Sequence, residues 1–526
     1  MRALLILFAC MPLLAQRNPL QERIVSLMGG LPAERTPLNA RVTGGFQREG
    51  YRVEHVVFES LPGFRVTANL YLPSAGAGPH PAVLGAAGHS NEGKAADTYQ
   101  AAWISLARRG YVVLAYDPPG QGERLEFVDK ATGQPRIRPG VPQHIQAGMQ
   151  CLLTGTSIAR YFVWDGIRAF DYLLTRQEVD PARVAVAGNS GGGTQAALLA
   201  ASEPRLAAVV SSCYTTTWAL LIEKPGPQDM EQVLPGFLAA GLDFVDYIRA
   251  FGKPYLISSA IGDYFPIEGA RRTFALAKSE GLPVEMVEND QPHGWTRELR
   301  QGAYRFLDKH LMKMERDAAE GEVAVEPPAA LNVTTTGQLA TSLGSETVSS
   351  LNAARALKLH ANRRAARGGD LRALVSARLG LEWKPLDPAP GPPTELPIEW
   401  PKDLRFGEVQ TGYSPEYQAA ARAWLHNESL LKRKVRFVLE QAAQATGPVS
   451  VTAGGADAPA VLLAALLEPR IARVVERGGF PSWLAATQDP FFPLPPSAVI
   501  YGVLEDFDLP DVRKALGGRL IAATTP

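Results

Sequence analysis

The sequence contains few cysteines, carries no excess of either charge and has no long apolar run beyond its first residues. Lys plus Arg and Asp plus Glu number 53 each among 526 residues, so the formal net charge is zero. This balance gives no electrostatic reason to expect nucleic acid or an anionic membrane surface as a partner. The content of 46% hydrophobic and 20% charged residues is ordinary for a soluble globular protein.

The N-terminus has the pattern of a secretory signal. Arg2 precedes an apolar run from Ala3 to Leu14, and Ala15 and polar residues follow it. We therefore expect residues 1–15 to be removed and the mature chain to be secreted or periplasmic. The run is too short to span a bilayer, which predicts no stable membrane insertion. Two alternatives stay open, namely a buried N-terminal helix and a lipoprotein anchored through Cys10.

The three cysteines limit the covalent cross-links that the chain can form. Cys10 lies in the predicted signal segment, which leaves Cys151 and Cys213 as the only pair. In an oxidising compartment this pair could form one disulfide, and two buried free thiols are the alternative, because a sequence does not give their separation. No spacing of Cys or His follows a zinc-site pattern, so we expect neither a metal nor an organic cofactor.

Short β-branched runs alternate with longer helical patterns from about residue 50 to 312. This alternation predicts an α/β fold with a mainly parallel sheet flanked by helices, the first two strands forming an antiparallel lead-in. A helix is predicted over residues 159–175. The predicted strands are His55 to Phe58, Phe64 to Leu72, Ala82 to Ala87, Val112 to Tyr116, Val184 to Ala187, Ala208 to Ser211, Tyr255 to Ala260 and Val284 to Val287.

Polar segments with Gly and Pro divide the chain further. Residues 120–155 form a polar stretch that is too long for a simple connection, which predicts a lid or a binding loop. The charged segment 315–330 is typical of a linker. We therefore expect one domain over residues 16–314 and a second over residues 331–526.

The second domain contains a faint internal repeat of the first. Residues 184–210 align without gaps on residues 449–475, with Glu203 falling on Glu468. Both copies are typical of a strand, a tight turn, an apolar helix and a further strand, which predicts a smaller, incomplete α/β domain. Gly455 falls on Ser190 in this register. The alternative is that such units look alike in any α/β protein.

The strongest motif is Gly-Asn-Ser-Gly-Gly around Ser190, between the strand that ends at Ala187 and a helix predicted to begin near Gln195. A serine at a strained strand-to-helix turn needs small neighbours, and such a turn lifts its hydroxyl above the sheet. The pattern therefore predicts that Ser190 is a nucleophile.

A serine hydroxyl needs a base within hydrogen-bond reach. In the usual chain order of such sites the base follows the nucleophile, which leaves His293, His310, His360 and His426. His293 is favoured because it lies in a turn directly after a predicted strand, whereas His310 lies among charged residues of a helix. The other two histidines lie beyond the predicted linker.

An acid should follow the preceding strand. Asp263 lies in the loop after the strand that begins at Tyr255. Its carboxylate would fix the tautomer of His293 and stabilise the imidazolium. Glu268 is the alternative, but we expect it to begin the next helix, where a carboxylate is favoured for ordinary dipole reasons.

Two backbone NH groups should stabilise the oxyanion, and the candidates are those of Gly191 and His89. Gly88 would let the backbone approach the substrate. The His89 ring is not expected to bind a metal, because no partner ligand is apparent near it in the sequence. In the next loop on the same rim, Glu123 and Arg124 either contact substrate or brace the rim.

Several segments together resemble a known group of bacterial enzymes. The chain is similar over about residues 50–312 to the α/β hydrolases described as acetyl xylan esterases or dienelactone-hydrolase-like proteins. The C-terminal half looks like the second, hydrolase-like half of related two-domain members, in a degenerate form. The resemblance rests on GHSNEGK, YDPPGQGER, YFVWDGIRAFDYLL, AGNSGGGTQ, GDYFPIEGAR and a PHG turn.

The resemblance implies an exported carbohydrate esterase that acts on a small-molecule or carbohydrate ester. The site residues predict a serine hydrolase that forms an acyl-enzyme on Ser190, with His293 and Asp263 moving the proton. A serine peptidase of the prolyl-oligopeptidase type uses the same chain order, but fewer than fifty residues of the predicted mature chain precede the first predicted strand, which leaves no room for the usual propeller domain. A non-catalytic binding protein is the second alternative.

Overall fold

A computed structural model describes residues 16–227, 229–365, 370–388, 390–406 and 413–522. The predicted signal segment 1–15, which includes Cys10, lies outside the described residues. Among the described helices, none combines the length and the apolar character needed to cross a membrane.

A nine-stranded sheet forms the centre of the first half of the chain, and its order is β1-β2-β3-β5-β4-β6-β7-β8-β9. Strand β2 pairs antiparallel with β1 and β3, and β3 pairs antiparallel with β5. The remaining neighbours in this order, from β5 and β4 to β8 and β9, pair parallel. The predicted α/β fold with a mainly parallel sheet is confirmed. The strands are β1 (Arg41–Arg48), β2 (Tyr51–Leu61), β3 (Phe64–Pro73), β4 (His80–Ala86), β5 (Val112–Tyr116), β6 (Val179–Asn189), β7 (Ala208–Ser212), β8 (Tyr255–Gly262) and β9 (Val284–Pro292).

Helices cover both faces of this sheet and bury its apolar side chains in two clusters. Burial of both faces explains why the central parallel strands are continuous apolar runs. The helices of the first half are α1 (Pro19–Leu27), α2 (Asp97–Arg108), α3 (Val141–Leu153), α4 (Ala159–Leu173), α5 (Gly191–Ala200), α6 (Trp218–Glu223), α7 (Phe244–Phe251), α8 (Ile267–Ser279) and α9 (Arg297–Leu307).

Helix α3 corrects the prediction of a polar lid loop over residues 120–155. It is almost entirely buried, although its sequence alternates apolar residues with glutamines. Gln146 donates to the carbonyl oxygens of Pro490 and Phe492, and Gln150 donates to that of Ala486. Because these partners lie more than three hundred positions away, sequence alone does not indicate that the side-chain NH₂ groups of these glutamines find acceptors inside the protein.

Cys151 and Cys213 are both buried free thiols. Cys151 lies in α3, and Cys213 follows β7. The disulfide alternative is therefore wrong, and the free-thiol alternative is confirmed. Burial raises the pKa of each thiol to about 12.

The second half contains a smaller sheet of four parallel strands in the order β10-β11-β12-β13. Its strands are β10 (Thr394–Glu395), β11 (Val449–Gly455), β12 (Ile471–Gly479) and β13 (Leu520–Ala522). The helices are α10 (Leu339–Ser342), α11 (Val348–Ala365), α12 (Leu371–Leu379), α13 (Pro415–Leu425), α14 (Leu430–Gln444), α15 (Ala458–Leu467), α16 (Trp483–Gln488), α17 (Val503–Asp506) and α18 (Leu509–Leu516).

The two sheets have the same strand register in the segments that align as a repeat. Val186 pairs with Val209 in the large sheet, and the aligned Val451 pairs with Val474 in the small one. Gly455, at the end of β11, has a φ of +52°, close to the φ of +60° at Ser190. This agreement supports the internal repeat.

The similarity between the two halves extends beyond the aligned residues 184–210 and 449–475. The backbone NH of Trp218 donates to Asp243 at 2.9 Å, and that of Trp483 donates to Asp508 at 2.8 Å. In both cases the tryptophan begins a six-residue helix, and the aspartate caps a later helix, α7 for Asp243 and α18 for Asp508. The same local hydrogen bonds therefore occur in both halves.

The segment predicted as a linker lies against the first half. The Glu320 carboxylate is paired with Arg300 and accepts from the hydroxyl of Tyr304 at 2.7 Å. Farther along, Glu326 is paired with Arg48 at 2.7 Å. These contacts hold residues 320–326 on the surface of the first half.

Candidate active site

Ser190 lies in a sharp turn between β6 and α5. Its φ of +60° and ψ of −121° are strained for a residue with a side chain. A Cβ atom on Gly188 or Gly192 would collide with backbone oxygens, so only glycine fits at these two positions. The helix begins at Gly191, earlier than the predicted start near Gln195, and its first NH groups are therefore next to the serine.

His293 and Asp263 lie at the ends of neighbouring strands. Asp263 follows β8 and His293 follows β9, and both strands end on the rim that carries Ser190. The Nδ1 atom of His293 lies 2.8 Å and 2.9 Å from the two carboxylate oxygens of Asp263. Because the aspartate accepts at Nδ1, Nε2 is the nitrogen that can take a proton from another group.

The alternative acid, Glu268, and one alternative base, His310, lie in other surroundings. Glu268 lies in the first turn of α8, as predicted. His310 is 2.7 Å from Glu285, and its ring packs against Phe306 at a tilt with centroids 4.6 Å apart. Neither residue joins the pair formed by Asp263 and His293.

Tyr264 lies between Ser190 and His293, and sequence reasoning did not find it. Its hydroxyl is 3.1 Å from Nε2 of His293 and also forms a hydrogen bond with Ser190. The phenol and imidazole rings are packed with centroids 4.3 Å apart. Desolvation raises the pKa of Tyr264 to about 12, so the hydroxyl stays protonated near neutral pH. Its position next to Asp263 in the chain was the only available signal.

Cys213 lines the floor of this site. Its sulfur and the ligand atoms of Asp263 and His293 all lie within 4.8 Å of one another. Burial, and then the charge of Asp263, keep its pKa near 12, and the thiol donates to the carbonyl of Gly294. A thiol in this state is a poor nucleophile, since the thiolate is the reactive form.

The loop after β4 is held against the Ser190 turn. Gln121 donates to the carbonyl oxygen of Gly88 at 2.8 Å, and Gln195 donates to that of Ala87 at 2.8 Å. A Cβ atom on Gly191 would lie 2.8 Å from the His89 ring. The two segments predicted to supply the oxyanion donors, at His89 and Gly191, are therefore in contact.

The His89 ring has three partners, which corrects the expectation that none lies near it. Its Nε2 atom is 2.5 Å from Asp229 and 3.9 Å from Glu231. Nδ1 of His144, in α3, is 2.7 Å from the same oxygen of Asp229. We call these four residues the His89 cluster. Sequence reasoning missed the other three because they come from separate segments that carry no motif.

The His89 cluster is largely buried, and its ionisable groups shift one another's pKa values. Burial opposes a charge on His144, but Asp229 and the carbonyl oxygen of Pro119 outweigh it and raise the pKa of that imidazole. Burial, followed by the charge of Asp229, raises the pKa of Glu231 well above its ordinary value. Asp229 itself has a lowered pKa, because the two histidines outweigh its burial.

The loop that contains Glu123 and Arg124 braces the rim. Arg124 is paired with Asp165 at 2.7 Å, and Glu123 is paired with Lys94 at 2.7 Å. Glu123 also accepts from the backbone NH and hydroxyl of Thr334. Both charged side chains are buried, which favours the bracing role over contact with a substrate.

The second half of the chain reaches the site through two tyrosines. The pKa values of Tyr413 and Tyr417 are raised by desolvation first and then by the charge of Asp229, with Glu231 adding a smaller effect. Tyr413 is also close enough to Tyr264 for an electrostatic interaction. Tyr417 is fully buried, whereas Tyr413 is 45% exposed and is the one that can meet a ligand.

Comparisons with known proteins show which families and folds the chain resembles. Residues 38–216 match the model of the family described as Acetyl xylan esterase (AXE1), and the match includes Ser190 and the loop after β4. The chain is 27% identical over 315 residues to YtaP of Bacillus subtilis (strain 168), a protein provisionally named a hydrolase, and the match covers 55% of this chain and 98% of YtaP.

A solved structure named Methylesterase BT1017 has a TM-score of 0.52 and 21% identity, over 66% of this chain and 75% of that chain. This likeness shows that the fold is shared. The chain therefore has the α/β-hydrolase fold, its residues 38–216 are similar to the acetyl xylan esterase family, and these findings indicate a carboxylic ester hydrolase.

Proposed function

We propose that the protein is a secreted serine esterase that removes small acyl groups from carbohydrate esters through Ser190, His293 and Asp263. The observation that carries the proposal is the contact of His293 with Asp263 at 2.8 Å on the rim where the strained turn presents Ser190. The family match supports a carbohydrate ester as the substrate.

Two-step acyl transfer follows from the arrangement. The Ser190 hydroxyl attacks the ester carbonyl while Nε2 of His293 takes its proton, and Asp263 stabilises the imidazolium that results. The imidazolium then protonates the departing alcohol. Water, activated by the same nitrogen, later releases the acyl group from Ser190.

Charge that develops on the carbonyl oxygen needs donors that are already in place. The backbone NH groups of Gly191 and His89 are the proposed donors, since the glutamine hydrogen bonds to Gly88 and Ala87 hold their segments together. The Tyr264 hydroxyl at Nε2 occupies the place of the serine proton, so it shifts off Nε2 when substrate binds while the ring stays against the imidazole. Its 46% exposure leaves room for that shift.

The surroundings of the site suit a sugar better than a long acyl chain. Tyr264 and Tyr413 present partly exposed aromatic rings that have a polar edge. Such rings pack on the apolar face of a sugar ring while their hydroxyls bind its hydroxyls. A lipid substrate would instead require an extended apolar wall.

A release assay tests the proposal. Acetylated xylan, glucuronate methyl esters, p-nitrophenyl acetate and peptide anilides are incubated with the wild type, Ser190→Ala and the exposed-serine control Ser279→Ala. We expect acetate release from xylan and from the aryl ester, its loss in Ser190→Ala and wild-type rates in Ser279→Ala. Cleavage of the anilides in preference to the esters would contradict the proposal and favour the peptidase.

Secretion is a separate part of the proposal and rests on residues 1–15. Expression of the full chain with its own leader in a Gram-negative host, followed by mass spectrometry of the periplasmic fraction, tests it. We expect a mature chain that begins near Gln16. An unprocessed chain that stays in the cytoplasm would contradict export.

A further inference from the structure

The His89 cluster has the donor set of a metal site. Two imidazole nitrogens and two carboxylates come from the loop after β4, from α3 and from the segment after α6. One ligand atom from each residue lies within 4.8 Å of the other three. His144, Asp229 and Glu231 are buried, and the His89 side chain is 24% exposed, so the cluster is closed on most sides.

The hydrogen bonds of His144 leave Nδ1 as its metal-binding nitrogen. Its Nε2 atom lies 2.8 Å from the carbonyl oxygen of Pro119, which can only accept, so that nitrogen carries a proton. Nδ1 lies 2.7 Å from Asp229, to which it donates in the absence of a metal, and it would release that proton when a metal binds. A histidine that binds a metal through one ring nitrogen usually donates the other N–H to a backbone carbonyl or a carboxylate. His144 has this arrangement.

Glu231 gives an independent indication. Both of its carboxylate oxygens are buried and form no full hydrogen bond, the Thr194 hydroxyl being a weak partner, and one of them faces Nε2 of His89 from 3.9 Å. The residue is only 1% exposed. An ionised carboxylate with so few donors is costly to bury unless a cation lies beside it.

We propose that His89, His144, Asp229 and Glu231 bind one divalent transition-metal ion, with Zn²⁺ as the preferred occupant. The ligand atoms are Nε2 of His89, Nδ1 of His144 and one oxygen from each carboxylate. Two imidazoles and two carboxylates match the ligand types of zinc, whereas Ca²⁺ and Mg²⁺ prefer oxygen ligands alone. The inference is independent of the esterase proposal, because it rests on this cluster alone.

The ion would lie directly behind the turn that carries Ser190. A Cβ atom on Gly191 would be 2.8 Å from the His89 ring and 3.0 Å from a Glu231 oxygen. Metal binding would therefore fix the His89 loop, helix α3 and the segment of Asp229 relative to Gly191. Its role is to position these segments and to add positive charge near the oxyanion.

Metal content and zinc affinity test the proposal on the full chain. The protein is stripped with a chelator and dialysed against Zn²⁺. Bound metal is then measured by plasma mass spectrometry, and affinity is measured by competition with a chromophoric chelator. The variants are Glu231→Gln, which keeps the side-chain volume, and His89→Asn in the partly exposed loop. His310→Asn is the matched control, since it removes a histidine–carboxylate pair outside the cluster.

We expect about one tightly held zinc ion per chain in the wild type and in His310→Asn. Zinc affinity should fall in both cluster variants by more than the ~10–100-fold that loss of a supporting residue costs. Circular dichroism checks that the two cluster variants fold. Addition of a chelator should lower the Tm of the wild type but not that of Glu231→Gln. A wild type that holds no zinc, or cluster variants that bind it as tightly as the control, would overturn the proposal.

Discussion

The hydroxyl of Tyr264 lies 3.1 Å from Nε2 of His293, where the proton of Ser190 has to arrive. We expect Tyr264→Phe to change kcat/KM by less than about tenfold, because the ring is retained and the hydroxyl is not needed for proton transfer. Tyr264→Ala removes the packing on the imidazole and should lower kcat by about a hundredfold. Steady-state hydrolysis of p-nitrophenyl acetate distinguishes the two. A Phe variant as inactive as the Ala variant would make the hydroxyl an obligatory proton carrier.

Asp263→Asn tests the orientation of His293. The amide cannot stabilise the imidazolium and favours the wrong tautomer, so kcat should fall by about 10³ to 10⁴ with little change in KM. Asp290→Asn is the matched control, since this exposed aspartate lies near the end of β9, three residues before His293, and should retain the wild-type rate. Equal activity of the two variants would contradict the assigned acid.

Glu123→Gln tests the brace between the rim loop and Thr334. Burial opposes ionisation of Glu123, but Lys94 and the hydrogen bonds from Val333 and Thr334 lower its pKa below the ordinary value. A lowered pKa stabilises the fold above the unfolded pKa of about 4.3, and this stabilisation is lost as pH falls through the folded pKa.

The variant should therefore lose about 3 kcal/mol in free energy of unfolding at pH 7, and the difference should shrink below about pH 4. Denaturant titrations at both pH values measure it, with exposed Glu49→Gln as the control. A loss of the same size at both pH values would show that the charge of Glu123 contributes nothing.

Gln146→Ala tests the attachment of the second half to α3. The truncation leaves the carbonyl oxygens of Pro490 and Phe492 without their buried donor. Unfolding monitored by denaturant should show a loss of about 1–3 kcal/mol. The exposed Gln134→Ala should show no loss, and equal stability of both variants would mean that water replaces the missing donor.

Much of the site could be predicted because its signals are local in sequence. Ser190 has glycines on both sides in a strand–turn–helix context, Asp263 directly follows the apolar strand β8, and His293 directly follows the edge strand β9. The β-branched runs predicted eight of the strands for a similar reason, since burial of both sheet faces leaves continuous apolar segments.

The parts that sequence reasoning missed depend on contacts between distant segments. Helix α3 looked like a polar loop because the partners of its glutamines lie in the other half of the chain. Asp229 and Glu231 have no motif around them, and only the folded chain brings them to His89 and His144. Tyr413 is still farther away in sequence. Periodicity and short motifs report local structure and carry no information on these pairings.

Covalent trapping of the nucleophile tests the account most directly. The protein is treated with a fluorophosphonate, digested and analysed by tandem mass spectrometry, alongside Ser190→Ala and His293→Asn. We predict a single adduct on Ser190, none in Ser190→Ala and strongly slowed labelling in His293→Asn. Labelling of another residue, or unchanged labelling of Ser190→Ala, would contradict the assignment of Ser190 as the nucleophile.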